Sequence, residues 1–222
     1  TVTMTGTNDQ PIMGSSVSTT TAEDTALRMQ VSSLLVSPYM SDPDAGNAFK
    51  GIAISWNKAP TSVGTWAWST NGSTGWTALP SDMTGADASF NKVSNAVYLN
   101  ASDYLRFTPA ANYTGSVDQL LFRAADGTMA DTVSGTRLNV SNYTGSAQAM
   151  TLSPNGITVS VTAVNDAAVI GGTTTGAITE TNSIQSVNGT LTISDIDSPA
   201  TFVTQAQTAG SNGYGKFNLA SN

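Results

Sequence analysis

The stretch that decides the fold is IAISW at residues 52–56, where Ile52, Ile54 and Trp56 alternate with the smaller Ala53 and Ser55. A two-residue period places alternate side chains on the same face of an extended strand. The period returns in four other runs, each bounded by turn residues: Leu105 and Phe107; Leu120, Phe122 and Ala124; Ile157, Val159 and Val161; Leu191 and Ile193. This pattern predicts an all-β protein, an antiparallel β-sandwich with very little helix.

Residues 23–36 fit two periods. Leu27, Val31 and Leu34 would line one face of a helix, whereas Leu27, Met29 and Val31 alternate as in a strand. Because strand patterns surround this segment, we interpret it as strand.

The composition excludes much of conventional enzymology. The 222 residues contain no Cys and no His, which removes disulfides, thiolate nucleophiles, Ser-His-Asp triads and nearly every zinc site. Asp and Glu number 15 against 8 Lys and Arg, so the net charge is −7 and nucleic acid is a poor partner. No apolar run approaches the ~18 residues of a membrane span, so we expect no membrane insertion. We also expect no enzyme, because Asp42 and Asp44 could act as a glycosidase pair only with an acid of raised pKa in a cleft, and the sequence indicates none.

The chain contains an internal sequence repeat. TGTNDQPIMG at residues 5–14 resembles TAVNDAAVIGG at residues 162–172, and a glutamate, Glu23 or Glu180, stands fourteen residues after the aspartate of each Asn-Asp pair. Each copy then reaches an Asp-x-Asp, in SDPDAG and in SDIDSP. A signature that recurs at a long period indicates tandem domains.

This repeat predicts the domain organisation. Residues 1–11 would be the end of a preceding domain and its linker, 12–164 a complete sandwich, and 165–222 the opening half of a following domain. A further hypothesis is that residues 1–7 pair with 165–222 and complete a split domain.

The Asp-x-Asp pairs indicate metal binding. Residues at i and i+2 of an extended segment point to the same side, and a divalent cation relieves the repulsion between their carboxylates. Calcium takes six to eight oxygen ligands, so we predict calcium sites; turn formation without metal is the alternative. The candidate ligands in the two copies are Asn8, Asp9, Glu23, Asp24, Asp42 and Asp44, and Asn165, Asp166, Glu180, Asp195 and Asp197.

The run GTWAWSTNGSTGW at residues 64–76 is the main aromatic feature. Trp66, Trp68 and Trp76 could form a stacking platform for a sugar, but tryptophan on an alternating strand more often fills the core. Asn71-Gly72 predicts a type I′ hairpin turn.

Residues 126–156 form a polar excursion between two confident strands, with pairing expected around residues 136–140. Such a segment is either a mobile connection or a functional loop. Asp126 and Asp131 are further candidate calcium ligands and, with Asn142 and Tyr143, candidate ligand-binding residues. A calcium held there with an open position would attract a carboxylate, such as a peptide C-terminus.

Several of these motifs occur together in one known family. TGTNDQP and TAVNDAA, at the two ends of the long domain, resemble the interdomain linkers of the cadherin-like and VCBS-type modules of giant bacterial RTX adhesins. EDTALRM and SDPDAG resemble the opening of such a module, and GTWAWSTNGSTGW, YLRFTPAANYTG and LLFRAADGT then follow in the family's order. AITETNSIQSVNGTLTISDIDS resembles the start of a VCBS repeat. The resemblance implies cadherin-like or immunoglobulin-like sandwiches that calcium rigidifies at the linkers. The 126–156 excursion is similar to the calcium-dependent peptide-binding domain of such adhesins.

Three functions remain open at this stage. The first is a calcium-dependent module of a bacterial surface adhesin that binds a peptide or protein on another cell and supports biofilm attachment. The second is a lectin-like module, and the third is a structural extender that binds only calcium. In each case we expect an extracellular, monomeric module within a tandem array.

Overall fold

The computed structural model describes residues 6–44, 46, 48–57, 59–81, 83, 93–144 and 148–221. It is all-β, with 40% strand and 4% helix, and several antiparallel sheets, which confirms the predicted fold class. The chain divides into two compact units, Thr1–Ala163 and Val164–Asn222. This division falls one residue from the predicted boundary. The hypothesis that residues 1–7 pair with 165–222 falls largely on residues 1–5, which lie outside the described residues.

Unit 1 holds twelve strands in the described ranges and two short 3-10 helices, at Val31–Leu34 and Val140–Asn142. The strands are β1 (Ile12–Met13), β2 (Val17–Ala22), β3 (Leu27–Gln30), β4 (Met40–Ser41), β5 (Gly51–Asn57), β6 (Gly64–Ser69), β7 (Thr77–Ala78), β8 (Ala96–Asn100), β9 (Tyr104–Pro109), β10 (Gly115–Ala125), β11 (Arg137–Leu138) and β12 (Asn155–Thr162).

These strands form the two layers of a sandwich. Six of them make one sheet in the order β11-β8-β5-β10-β12-β2, and four make the other in the order β3-β9-β6-β7. The pairs are antiparallel except β2 with β12, which run parallel from Val17 beside Ile157 to Ala22 beside Thr162. β1 and β4 form a separate two-stranded ribbon.

The core lies between the two sheets and takes its side chains from both. Ile54, Leu120 and Phe122 come from the larger sheet, and Trp66 and Phe107 from the smaller, with the rings of the last two 5.2 Å apart between centroids. Burying such side chains stabilises the fold by about 1.5–3 kcal/mol each. The alternating residues that predicted the strands therefore form the core.

The excursion at residues 126–156 is packed rather than free. It contributes Met129, Leu138, Val140 and Met150, each at most 7% exposed, to the hydrophobic core. Its Arg137–Leu138 strand pairs with β8, which confirms the pairing expected around residues 136–140. The excursion also contacts β10 of the larger sheet, where the buried Arg123 donates hydrogen bonds to the carbonyl oxygens of Thr151 and Leu152.

Two local predictions were wrong. Within residues 23–36 only Leu27–Gln30 is a strand, and Val31–Leu34 is a 3-10 helix whose Val31 and Leu34 are buried. The segment Asn71-Gly72 is not a type I′ turn, because only Gly72 has a positive φ, of 69°. Asn71 instead accepts hydrogen bonds at its Oδ1 from the Ser73 and Thr74 amides, both at 2.9 Å, within a longer loop.

Unit 2 has strands without a core. β13 (Val169–Gly172) pairs with β14 (Leu191–Ser194), and β15 (Gln205–Ala209) pairs with β16 (Lys216–Leu219). No residue in the range 164–221 is buried, and Ile170, Ile184 and Tyr214 are all more than half exposed. In the described ranges of the chain, no helix is long and apolar enough to cross a membrane.

Candidate functional site

The first Asp-x-Asp forms a turn that holds the preceding linker. Asp42 follows β4, and its Oδ1 accepts a hydrogen bond of 2.8 Å from the Asp44 amide. The Oδ2 of Asp44 in turn accepts a hydrogen bond of 2.7 Å from the amide of Asp9. The predicted association of the Asn-Asp linker with the Asp-Pro-Asp turn is therefore a direct contact.

Asp126 holds the same linker from the other side. It follows β10 and is 0% exposed. Its Oδ1 accepts hydrogen bonds from the amide and hydroxyl of Thr128, at 2.8 and 2.6 Å, and its Oδ2 accepts one of 3.1 Å from the Asn8 side-chain amide. Asn8 also donates to the carbonyl oxygen of Gln148 at 3.4 Å. We call Asn8, Asp9, Asp42, Asp44 and Asp126 the linker cluster.

The linker cluster concentrates negative charge. Burial is the largest cause that raises the pKa of Asp42, and the charges of Asp126, Asp44 and Asp9 raise it further, whereas the hydrogen bond from the Asp44 amide lowers it. The Oδ2 of Asp42 is buried and accepts no hydrogen bond from the described residues. Across those residues the one ion pair joins Lys50 to Asp131, so no ion pair compensates the linker cluster.

The donor chemistry of the linker cluster fits calcium. Its side chains offer only carboxylate and amide oxygens, which hard divalent cations prefer. As these side chains stand, no three acidic groups in the described parts of the chain are arranged to hold a metal ion. Calcium would therefore have to draw the carboxylates closer together than they lie here.

Unit 2 repeats the turn and linker contacts. The amide of Asp166 donates to Oδ2 of Asp197 at 2.6 Å, and the amide of Asp197 donates to Oδ1 of Asp195 at 3.0 Å. Asn165 accepts a hydrogen bond of 3.4 Å at its Oδ1 from the hydroxyl of Ser198. Four of the predicted ligands in this copy are therefore brought together.

Two predicted ligands lie far from the linker cluster. The amide of Glu23 donates to the Thr162 carbonyl oxygen, and Asp24 accepts a hydrogen bond from the Asn112 amide. Both lie at the Gly115 end of β10, whereas Asp126 follows its other end. Since β10 is eleven residues long, roughly 30 Å separates the two ends. The prediction that Glu23 and Asp24 converge with Asp42 at one pole was wrong.

Glu180 also stands apart from its expected partners. It is exposed and lines a cavity of about 930 Å³ in unit 2, together with Tyr214, Lys216 and Phe217. In the described ranges, no hydrogen bond or ion pair joins it to Asp195 or Asp197.

The four residues predicted to bind a ligand do not share one surface. Asp126 is buried in the linker cluster, whereas the Asp131 side chain is 99% exposed and pairs with Lys50 at 3.0 Å. Asn142 is exposed at the end of a 3-10 helix, and Tyr143 is half-buried against the core. Asp131 alone of the four lines a described cavity, one of about 460 Å³ between residues 100–103 and 131–134.

The tryptophans do not form a common platform. Trp66 is 2% exposed and fills the core, as the more common fate of such residues predicts. Trp68 packs against Gly135, where an added Cβ would lie 2.7 Å from the indole Cζ2. Trp76 is half-buried, with the Arg106 guanidinium 4.3 Å from its ring centroid.

Sequence reasoning missed Asp103. This aspartate is 2% exposed, and its Oδ2 accepts a hydrogen bond of 2.8 Å from the Asn100 amide and another from the Ser134 hydroxyl. The available signal was the NASD turn between two predicted strands, where an aspartate readily bonds to backbone amides. Nothing local in the sequence indicates that the excursion would bring Ser134 to this turn.

Comparisons of this chain with protein-family models, with curated proteins and with solved structures give no match.

Proposed function

We propose that this chain is a calcium-binding β-sandwich module of a bacterial cell-surface adhesin, one of several in a tandem array. The observation that carries the proposal is the repeated contact between an Asn-Asp linker and an Asp-x-Asp turn. The Asp9–Asp44 and Asp166–Asp197 hydrogen bonds use the same atoms in both units, at 2.7 and 2.6 Å. Because the same contact occurs at both linkers, we infer that it helps to join consecutive modules.

Calcium supplies what the linker cluster lacks, which is positive charge. The carboxylates of Asp126, Asp44 and Asp9 act electrostatically on that of Asp42, and the side-chain amide of Asn8 lies against Asp126. These residues, through carboxylate and amide oxygens, would hold the ion, which would cancel their repulsion and stiffen the linker. The extracellular location, where calcium is abundant, comes from the resemblance to RTX adhesin modules.

A second candidate function is binding of a peptide or protein on another cell. The observation that favours it is the cavity beside Asp131, which the predicted ligand-binding excursion helps to form. The lectin-like alternative has less support, because the core position of Trp66 leaves no three-tryptophan platform.

The proposal is tested by melting the whole chain in millimolar calcium and in EDTA. A site that calcium fills at one hundred times its dissociation constant adds about 2.7 kcal/mol of stability. Extracellular modules bind calcium at about 10⁻⁴–10⁻³ M, so we expect a smaller gain per site. The variant Asp42→Ala should lose most of the calcium-dependent rise in Tm that comes from the linker cluster, whereas Asp118→Ala, an exposed carboxylate on β10, should keep it. A Tm that EDTA leaves unmoved contradicts the proposal.

A further inference from the structure

The cavity beside Asp131 is a second site with its own chemistry. Its volume is about 460 Å³, within the range of small-ligand sites, and its walls come from Thr70, the turn at residues 100–103 and the segment 131–134. It opens at the end of the larger sheet where β5 begins, since Gly51 pairs with Asn100 and with Ala125. No residue of the linker cluster is among those that line this cavity.

A buried carboxylate lines this cavity and is fixed in place. The Oδ2 of Asp103 accepts hydrogen bonds from the Asn100 amide and the Ser134 hydroxyl, and Ser134 in turn accepts one of 2.6 Å from the Asn100 side-chain amide. In the described part of the chain, both hydrogen bonds to the Asp103 carboxylate fall on Oδ2. Its Oδ1 therefore remains as an acceptor for a ligand.

The cavity carries negative charge without a matching cation in its walls. Asp103 and Asp131 both line it, and its described lining contains no Lys or Arg. Lys50, which is not among the lining residues, pairs with Asp131 at 3.0 Å and donates to the Met129 carbonyl oxygen at 2.7 Å. Within the described residues, Asp103 is therefore the carboxylate of this cavity that no ion pair compensates. Burial, with the charges of Asp103 and Asp131, raises the pKa of Tyr98 to about 12, so both carboxylates act on the same region.

We propose that this cavity binds an alkylammonium or guanidinium group, such as a Lys or Arg side chain of a partner peptide. An ammonium presents three N–H donors, which match the Asp103 carboxylate and the hydroxyls of Ser102 and Thr132. Hydrogen bonds between ionised groups are stronger than neutral ones, and the partial burial of the site limits screening. Val133, which is 78% exposed, offers apolar contact for an aliphatic stem. This ligand charge is opposite to the carboxylate predicted from the sequence.

The experiment is an NMR titration of the uniformly ¹⁵N-labelled chain with capped pentapeptides. The probes are Gly-Gly-Lys-Gly-Gly, its arginine analogue, and two matched controls in which norleucine or glutamate replaces lysine. We expect saturable shifts of the amides at residues 100–103 and 131–134 with the cationic peptides in either calcium or EDTA. Norleucine and glutamate peptides should bind at least about tenfold more weakly, because they lack the charge-assisted hydrogen bonds.

Three variants locate the binding group. Asp103→Asn should weaken binding of the lysine peptide about tenfold or more, Asp131→Asn less because this group is exposed, and the matched charge change Asp118→Asn should leave it unaltered. If Asp103→Asn fails to fold, Thr132→Lys provides the test, because its own ammonium should occupy the cavity and block the peptide. Ser116→Lys, an exposed position on β10, is its control.

Four results would overturn the proposal. These are no shifts with either cationic peptide, equal binding of the norleucine or glutamate peptide, shifts confined to residues outside the cavity, and full binding by both Asp103→Asn and Thr132→Lys. Because the expected shifts persist in EDTA, failure here is distinguishable from failure of the calcium proposal.

Discussion

The two Asn-Asp linkers of this chain make the same local contacts in different surroundings. In both, the linker aspartate donates its amide to the second carboxylate of the Asp-x-Asp turn, and that second aspartate donates its amide to the first, at 2.8 Å in unit 1 and 3.0 Å in unit 2. In unit 1 a completed sandwich adds the buried Asp126 behind the turn. Unit 2 has no buried residue in the range 164–221.

This difference distinguishes the contacts that the Asn-Asp and Asp-x-Asp motifs make from the burial and charge that the surrounding domain adds. The Asp-x-Asp turn depends only on its own residues, because its internal hydrogen bond joins positions two apart. The linker reaches the turn from 35 residues away in unit 1 and from 31 in unit 2, through one backbone amide in each case. The burial of Asp42 and the additional negative charge of Asp126 come from the folded sandwich, since Asp126 directly follows β10. We therefore expect the linker cluster of unit 1 to respond more strongly to mutation, pH and calcium than its counterpart.

The largest expected effect compares a buried side chain of unit 1 with an exposed side chain of unit 2. Met150, in the excursion of unit 1, is 0% exposed, so Met150→Ala should lower the free energy of unfolding by about 2–5 kcal/mol. Ile196, which is 62% exposed in unit 2, should change it by about 0.5 kcal/mol or less on replacement by alanine. Urea denaturation of both variants provides the measurement. Equal losses would mean that unit 2 has a core.

The next effect concerns the carboxylate that only unit 1 possesses. Asp126→Ala removes the acceptor of three hydrogen bonds, from Asn8 and from the amide and hydroxyl of Thr128. Hydrogen bonds to charged groups contribute about 1.5–3 kcal/mol, so we expect a loss of this order in calcium. In EDTA the loss should be smaller, because removal of one charge relieves the repulsion of the others. A loss that is the same in both buffers would argue against an electrostatic role.

A smaller effect should distinguish the two turns directly. In millimolar calcium, Asp42→Ala should lower the free energy of unfolding by about 1–2 kcal/mol, since it removes a partly buried ligand. Asp195→Ala, in unit 2, should cost about 0.5 kcal/mol or less. Thermal melts monitored by circular dichroism would rank the two. The reverse order would show that burial does not decide the strength of the site.

The smallest effect is a pH dependence of the calcium-free protein. The pKa of Asp42 is raised in the folded chain, first by burial and then by neighbouring carboxylates. The folded state therefore holds this proton more tightly than the unfolded state, and the Asp42 contribution to stability in EDTA should rise as pH falls from neutral through the raised pKa. The Tm difference between wild type and Asp42→Asn measures this contribution, and a difference that is constant with pH would contradict it.

The sequence predicted the elements with local signals. The two-residue spacing of Ile52 and Ile54, and of Leu105 and Phe107, identified buried strands. The repeated Asn-Asp and Asp-x-Asp motifs identified residues that contact each other in the structure. These signals succeed because the strand period and the turn geometry each depend on a few neighbouring residues. The two-residue period also predicted the near absence of helix.

The remaining errors come from long-range packing. Glu23 follows β2, which runs parallel to β12, and that pairing carries it to the opposite end of the sheet from Asp42. The excursion is rich in polar residues, and its apolar residues follow no regular period, so the sequence did not indicate that the excursion packs into the core. The structure nevertheless buries four of these apolar residues, Met129, Leu138, Val140 and Met150. The importance of Asp103 depends on Ser134, which is distant in sequence.

The most direct test of the central claim is a calcium titration of the chelated chain by calorimetry. We expect saturable binding at about 10⁻⁴–10⁻³ M calcium, and a loss of sites in Asp42→Ala that Asp118→Ala does not share. Binding that Asp42→Ala leaves unchanged, or no binding at millimolar calcium, would contradict the assignment of the linker cluster as a calcium site.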